Sequence, residues 1–398
     1  SKEPGLASRF VVTQYMGQGS FCRVSQVEDR QNKQLYALKV AMRAYRSERD
    51  LELQLREFEN WQIIGAHPNL VSYERAWVES AVLHMQLELC AGGSVGHLQT
   101  TLQDKVIPEP TLWRFLAHVA AALAHMHSAG YVHLDIKPDN VLISGSTFKV
   151  GDLGLSQCYG VDKREAAMEG DCKYMAPEVL NAPGPTPAAD VFSLGISAFE
   201  LAWGVMLPQD GPLWSSLRQG ELPPMNPSLG RSPELVAVIR SLMSPSPAAR
   251  PTATDILKLP QVVAALHTEE DAFLLQYNAW LELNQSAMKA ASSSAAAAAA
   301  KAAAVAAAAA SAAAAAASTG LSISVPHVEL GTDTLATPSV SLALTTPVAT
   351  THSLFHTVPV SRAAALGRSQ SYTSDMISGD LDMFMTPRVM TSPVPQLG

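Results

Sequence analysis

The 398-residue sequence has little of what marks several common classes of protein. Its four cysteines, Cys22, Cys90, Cys158 and Cys172, lack the spacing of a zinc site or a disulfide framework, which favours a reduced intracellular protein. The net charge of −8 leaves no excess of basic residues, so we expect no nucleic-acid partner. No signal-peptide pattern follows Ser1, and since the chain does not begin with Met, we expect that it has been trimmed.

Large apolar residues are scarce in the last part of the chain. Residues 290–318 are nearly all alanine, and residues 319–398 are rich in Ser, Thr and Pro. Such segments bury too little apolar surface to offset the entropy lost on ordering. We therefore expect four parts, namely a folded domain at 10–266, a helical extension at 267–289, an Ala-rich low-complexity segment at 290–318 and a disordered tail at 319–398.

The extension and the alanine run differ in what they can bind. The extension has an apolar stripe at helical spacing, which we expect to pack on the folded domain, with a partner protein as the alternative. The stripe consists of Phe273, Leu274, Tyr277, Trp280 and Leu281. After Lys301 the alanine run continues for only about 16 residues, fewer than the roughly 20 that span a bilayer. We favour a spacer over a membrane anchor.

The stretch from His133 to Asn140 contains the side chains that phosphoryl transfer requires. Asp135 can accept a hydroxyl proton, and Lys137 can stabilise the charge of the transferring phosphoryl group. Asn140, with Asp152 of a later Asp-Leu-Gly triplet, can hold Mg²⁺. Each fragment alone is a weak match, but together, with an Ala-Pro-Glu triplet following, they are a strong one. We predict that Asp135 and Lys137 are catalytic and that Asn140 and Asp152 bind metal.

Two strands and a glycine-rich turn near the start predict a nucleotide site. The glycines alone would fit a simple hairpin, but the next strand ends in Lys39, which can pair with phosphates. Lys39 needs an acidic partner, and we choose Glu57, 18 residues later, from the next predicted helix. A break at Cys90–Ser94 predicts a hinge whose backbone binds adenine, with Leu87 behind the pocket. The residues predicted to bind ATP are Met16, Gly17, Gln18, Gly19, Ser20, Val24, Ala37, Lys39, Glu57, Glu88 and Cys90.

Other charged residues are expected to support this site. We predict an ion pair between Glu178 and Arg250, and a bond from Asp190 back to the His133–Asn140 loop. Three histidines, His118, His125 and His127, lie on or near one predicted helix. Since no Glu or Cys accompanies them, we favour structural roles over a metal site.

These residues resemble a known family. Residues 10–266 resemble a eukaryotic protein kinase domain, which implies a bilobal α+β fold. A small β-rich lobe with one helix is expected at 10–89 and a larger, mainly helical lobe at 90–266. Within that superfamily the chain looks like the Wee/Myt group of cell-cycle inhibitory kinases. The matching stretches are Glu74–Trp77, His133–Pro138, Glu169–Asp171 and Leu217–Pro224.

The resemblance implies a substrate. Kinases of this group use ATP and Mg²⁺ to phosphorylate a tyrosine, and in the membrane-associated branch the adjacent threonine, of a mitotic cyclin-dependent kinase, which restrains the onset of mitosis. The short link from Ile143 to Lys149 and the run Ala189–Gly195 look closer to that branch. A nuclear, cytoplasmic or endomembrane-surface location is expected. The alternatives are a serine/threonine kinase of other specificity and a kinase-fold scaffold that recruits cyclin complexes.

The sequence departs from many kinases before the catalytic aspartate. Leu134 stands where an arginine normally neutralises a phosphate on the activation segment. Between Gln157 and Ala176 the chain has no Ser or Thr, and Tyr159 and Tyr174 are the only hydroxyl-bearing residues. We predict that activity does not require phosphorylation of this segment. Regulation by proline-directed kinases is a hypothesis for the tail sites Thr337, Thr346, Thr386 and Ser392.

Overall fold

A computed structural model describes residues 6–19, 21–102, 106–160, 170–180, 186–287 and 389–391. Its N-terminal part is an antiparallel sheet in the order β1-β2-β3-β5-β4, to whose outer edge a sixth strand, β10, adds. The strands are β1 (Phe10–Gln18), β2 (Cys22–Asp29), β3 (Leu35–Ala41), β4 (Tyr73–Glu79), β5 (Val82–Glu88) and β10 (Val389–Thr391). The described part of the tail is thus a short paired strand, and the rest of 319–398 lies outside the described residues.

One helix, α1 (Glu48–Ile64), accompanies this sheet. It begins where the Ser47 side chain accepts a hydrogen bond from the backbone of Asp50 and ends at Gly65, whose positive φ of 85° suits glycine. Phe58 and Trp61 are buried, and both rings lie against Tyr73 at the start of β4. This packing fixes the helix face that carries Glu57.

The C-terminal part is mainly helical. Its core is α5, which has buried residues on all sides because almost all of them are apolar, and α3 packs across it. The helices are α2 (Val95–Thr101), α3 (Glu109–Ser128), α4 (Pro177–Leu180), α5 (Pro187–Trp203), α6 (Pro212–Arg218), α7 (Pro233–Leu242), α8 (Ala253–Ile256), α9 (Pro260–His267) and α10 (272–287). The predicted bilobal α+β fold is confirmed.

Short strands lie where the two lobes meet. They are β6 (Tyr131–Val132), paired with β9 (Gln157–Cys158), and β7 (Val141–Ser144), paired with β8 (Thr147–Val150). The backbone of Val71 in the small lobe donates to the Val150 carbonyl at 2.9 Å. The segments before and after these strands therefore face the cleft from fixed positions.

Helix α10 packs on the chain's own large lobe. Leu274 and Tyr277 are fully buried, and Asn278 donates to the Gly145 carbonyl at 2.9 Å. This is the packing that the apolar stripe predicted. None of the helices in the described ranges is both long and apolar enough to cross a membrane. The alanine run lies outside those ranges, so its role as a spacer stays a prediction.

Candidate active site

Lys39 lies on β3 with its amino group between two carboxylates. Its Nζ is 2.8 and 2.7 Å from the two carboxylate oxygens of Glu57 and 3.4 Å from Asp152 Oδ1. Burial lowers the pKa of Lys39, but the carboxylates of Glu57 and Asp152 outweigh burial and raise it above its ordinary value. The predicted pairing of Lys39 with Glu57 is confirmed. The amine is charged and is held by Glu57 between the two lobes, close to Asp152.

The loop from His133 to Asn140 places two polar side chains, Lys137 and Asn140, around Asp135. Lys137 Nζ is 2.8 Å from Asp135 Oδ2, and the Asn140 amide nitrogen donates to the Asp135 carbonyl oxygen at 2.8 Å and to Oδ2 at 2.7 Å. A 3₁₀ turn at Pro138–Asn140 brings the amide back over the aspartate. Asp135 is thus held in one orientation by a cation and an amide, as an acceptor for a hydroxyl proton must be.

The loop is anchored from beneath by Asp190 of α5. Its carboxylate accepts hydrogen bonds from the backbone nitrogens of His133 at 2.9 Å and Leu134 at 2.8 Å, and from the His127 ring at 2.8 Å. His133 is fully buried, and its ring bonds the Gly151 carbonyl and the backbone nitrogen of Asp135. The predicted bond from Asp190 to the loop is confirmed.

The Asp152 side chain lies near Lys39 and could bind a metal cation there. Its φ of 61° is left-handed, which turns its side chain away from the extended path of β8. The Lys39 amine lowers the pKa of Asp152 more than burial raises it, so the group is a carboxylate at neutral pH. Asn140 uses its amide nitrogen on Asp135, which leaves its amide oxygen to bind a metal. Carboxylate and amide oxygens are ligands that Mg²⁺ prefers, so these residues fit the ion.

The glycine-rich turn is a tight hairpin between β1 and β2. Gly17 pairs with Val24, and the Gly19 nitrogen donates to the Cys22 carbonyl at 2.9 Å. Val24 lies opposite Lys39 on the neighbouring strand, so the turn reaches over the same cleft. Met16, Gly17, Gln18, Gly19 and Val24 are all brought to this hairpin, whereas Ser20 lies outside the described residues.

Strand β5 ends at Glu88, directly before the segment that the sequence predicts to be the hinge. Ala37 pairs with Leu87, and both are buried, which gives the back of the cleft an apolar wall. The Glu88 nitrogen donates to the Ser72 carbonyl at 2.9 Å, so its carbonyl is the group left for a nucleotide. Cys90 is 3% exposed, and burial raises the pKa of its thiol to about 12, which makes it unreactive.

The supporting residues are arranged as the sequence predicted. Arg250 binds both carboxylate oxygens of Glu178, at 2.5 and 2.9 Å. Each of the three histidines has a structural partner: His118 accepts from the Phe148 nitrogen, His125 bonds the Gly65 carbonyl and His127 bonds Asp190. The part of the chain that the structure describes contains no group of three or more His, Cys, Asp or Glu side chains placed to hold a metal ion.

Two contacts at the site were not predicted. The Asn60 amide, one helical turn after Glu57, donates to the carbonyls of Leu153 at 3.1 Å and Ser156 at 2.7 Å. It ties α1 to the segment that carries Asp152, and its spacing from Glu57 was the only indication in the sequence. The Tyr73 hydroxyl also donates to Glu57.

The chain matches the protein kinase domain family over residues 10–262. The chain is a protein kinase. The kinase is 41% identical over 252 residues to the membrane-associated tyrosine- and threonine-specific cdc2-inhibitory kinase of Drosophila melanogaster, covering 62% of this chain and 46% of the relative. It is 34% identical to the mitosis inhibitor protein kinase wee1 of Schizosaccharomyces pombe, covering 65% and 32%. It is also 34% identical to a Dictyostelium discoideum protein named as a probable protein kinase, covering 65% and 74%.

These relatives confirm the predicted resemblance to the Wee/Myt group. The kinase spans less than half the length of the fly relative and about a third of the fission yeast relative. Membership of the family implies the use of ATP and a divalent cation and a protein substrate.

Proposed function

We propose that this kinase transfers the γ-phosphate of ATP to a tyrosine, and to the adjacent threonine, of a mitotic cyclin-dependent kinase bound to cyclin, and so restrains the onset of mitosis. The convergence of Lys39, Asp135, Lys137, Asn140 and Asp152 on one cleft supports transfer activity. The names of the fly and fission yeast relatives, which describe cdc2-inhibitory and mitosis-inhibiting kinases, support the substrate and its cellular consequence.

The residues of the cleft divide the work. Asp135 accepts the proton of the substrate hydroxyl, and Lys137, 2.8 Å away, donates to the transferring phosphoryl group. Lys39, oriented by Glu57, donates to the phosphates nearer the nucleoside. Mg²⁺, held by Asn140 and Asp152, would neutralise phosphate charge. Positioning and charge stabilisation are most of what phosphoryl transfer asks of a protein.

Adenine is proposed to bind at the hinge. The Glu88 carbonyl and the backbone of Cys90 offer hydrogen bonds, while Ala37, Val24 and Leu87 enclose the ring. The Glu88 side chain is occupied elsewhere, since it binds Lys149 at 2.9 Å and the Ser72 nitrogen at 2.7 Å. That occupation holds the hinge carbonyl in place.

A transfer assay tests the proposal. The kinase is incubated with ATP, Mg²⁺ and a catalytically inactive cyclin-dependent kinase–cyclin complex, and phosphotyrosine and phosphothreonine are detected separately. We expect tyrosine phosphate with the wild type and none with Asp135→Asn. Phosphate on serine or threonine of unrelated proteins only would favour a kinase of other specificity. Binding of the complex without transfer would favour a scaffold.

A further inference from the structure

Arg218, the last residue of α6, is buried without a carboxylate partner among the described residues. It is 7% exposed, and burial lowers the pKa of its guanidinium to about 10, so it stays charged at neutral pH. A buried cation needs compensating hydrogen bonds. Nη1 donates to the Trp214 carbonyl of the same helix at 3.1 Å, and Nη2 donates to the backbone of a distant segment. Arg218 therefore links α6 to that segment.

That segment is 172–175, the end of the activation segment. Nη2 of Arg218 donates to the carbonyls of Cys172 at 2.6 Å, Lys173 at 3.2 Å and Met175 at 2.9 Å. The guanidinium lies 3.7 Å from the ring centre of Trp214, which sets its plane. The Trp214 ring nitrogen itself donates to the Cys172 carbonyl at 3.1 Å. Two side chains of α6 therefore grip one stretch of backbone.

The gripped stretch lies beside the catalytic aspartate. The backbone nitrogen of Asp171 is 3.5 Å from Asp135 Oδ1. The backbone of 171–175 therefore borders the position at which a substrate hydroxyl would meet Asp135. The position of this backbone decides how well such a protein fits.

We propose that Arg218 is a positioning residue that holds 172–175 as a preformed platform for the protein substrate, in place of a phosphate on the activation segment. Residues 157–176 contain no Ser or Thr that could carry the usual phosphate, and Leu134 stands where the arginine that binds this phosphate normally lies. Arg218 supplies a permanent cation instead, which binds carbonyl oxygens rather than a phosphate. The proposal rests on the proposed role of Asp135 in protein phosphorylation.

The test compares Arg218→Lys and Trp214→Phe with the wild type. Lysine keeps the charge but lacks the planar fork, and phenylalanine keeps the ring but lacks the donor. With the cyclin-dependent kinase–cyclin complex as substrate, we expect KM for the protein to rise about tenfold in Arg218→Lys and less in Trp214→Phe. We expect KM for ATP and substrate-independent ATP hydrolysis to stay within about twofold.

The matched control is Arg231→Lys. Arg231 is a half-buried arginine of the same lobe, burial lowers its pKa, and it donates to the Ala202 carbonyl on α5. The Arg231→Lys variant should have the same KM for the protein substrate as the wild type. If Arg218→Lys alters KM for ATP and for protein equally, or if Arg231→Lys has the same effect, the platform is not what Arg218 provides.

Amide hydrogen exchange separates this inference from the proposed function. We expect faster exchange at 172–175 in Arg218→Lys and not in Arg231→Lys, whether or not the wild type transfers phosphate. An inactive wild type would refute the proposed function alone. Unchanged exchange at 172–175 in a folded Arg218→Lys protein would refute the proposal that Arg218 holds this platform. If Arg218→Lys fails to fold, unchanged exchange in Trp214→Phe does so.

Discussion

Asp190 accepts a hydrogen bond from the backbone nitrogen of Leu134 at 2.8 Å, while Leu134 itself has a left-handed φ of 67°. A side chain other than glycine rarely adopts this conformation, so the surrounding structure must hold it. The carboxylate of Asp190 does so from a position without solvent exposure. The strained residue lies directly before Asp135, the proposed acceptor of the hydroxyl proton, and Asp190 is 56 residues away in sequence.

Replacing this anchor should therefore disturb both stability and chemistry. Asp190→Ala leaves the buried nitrogens of His133 and Leu134 without an acceptor, which should reduce the free energy of unfolding by roughly 2–5 kcal/mol. Asp190→Asn keeps one acceptor oxygen and should lose less. Denaturant unfolding measures the first effect and kcat the second. Equal stability of Asp190→Ala and the wild type would contradict the anchor.

The ion pair on α1 should matter for nucleotide use. Glu57→Gln removes the charge that orients Lys39, so kcat/KM for ATP should fall by roughly 10²-fold. Asp50→Asn is the matched control, because Asp50 lies on the same helix and pairs with Arg43 at the surface, 2.5 Å apart. Its activity should stay within about twofold of the wild type. A similar loss in both variants would mean that helix stability, not Lys39, is responsible.

The free energy of unfolding should fall as the pH is lowered from about 6.5 to about 4, because the pKa of His118 differs between the folded and unfolded chain. Burial, and secondarily Arg114, lower the pKa of His118 from 6.5 to about 4. In the unfolded chain His118 binds a proton below about pH 6.5, whereas in the folded chain it binds one only below about pH 4. The contribution of neutral His118 to stability is therefore complete above pH 6.5 and is lost as the pH falls towards 4. Between pH 7 and pH 5 this loss is about 2 kcal/mol.

His118→Asn tests the assignment. In the wild type the Phe148 nitrogen donates a hydrogen bond to His118 Nδ1 at 3.0 Å. Asparagine does not titrate, but its amide oxygen can accept the same hydrogen bond. Urea unfolding at several pH values should show a shallower loss of stability in this variant. The same slope in both proteins would place the titrating group elsewhere.

Phosphatase treatment should leave the activity unchanged. The Tyr174 hydroxyl donates to the buried carboxylate of Glu200 at 2.6 Å, and the Tyr159 hydroxyl donates to the His127 carbonyl at 2.8 Å. Both hydroxyls of the activation segment are thus engaged within the fold. Activity of the purified kinase before and after phosphatase treatment provides the measurement. A loss of activity that maps to Tyr159 or Tyr174 would contradict the prediction.

The sequence predicted contacts that depend on a fixed local order of residue types. Lys39 with Glu57 and Glu178 with Arg250 follow from kinase motifs, and helix α1 follows from the spacing of apolar residues. Contacts to distant backbone carbonyls were missed, because any residue offers a carbonyl and no pattern marks which one is used. The Arg218 and Asn60 contacts, up to 96 residues apart in sequence, are of this kind.

Strand β10 was missed for a related reason. Its three residues, Val389–Thr391, pair with Trp77, Ala76 and Arg75 on β4, but they lie in a polar tail without the alternation that predicts a strand. Edge strands accept partners through backbone groups, which sequence composition does not reveal.

Helix α10 determines where a stable recombinant fragment of this protein can end. The family match ends at residue 262, yet Leu274 and Tyr277 are fully buried beyond it. A recombinant fragment ending at 266 would expose the surface that these side chains cover and invite aggregation. It would also remove Asn278, whose amide oxygen would lie 2.8 Å from a side-chain carbon placed on Gly92 at the hinge. The smallest fragment fit for crystallisation or inhibitor screening therefore extends to about residue 287.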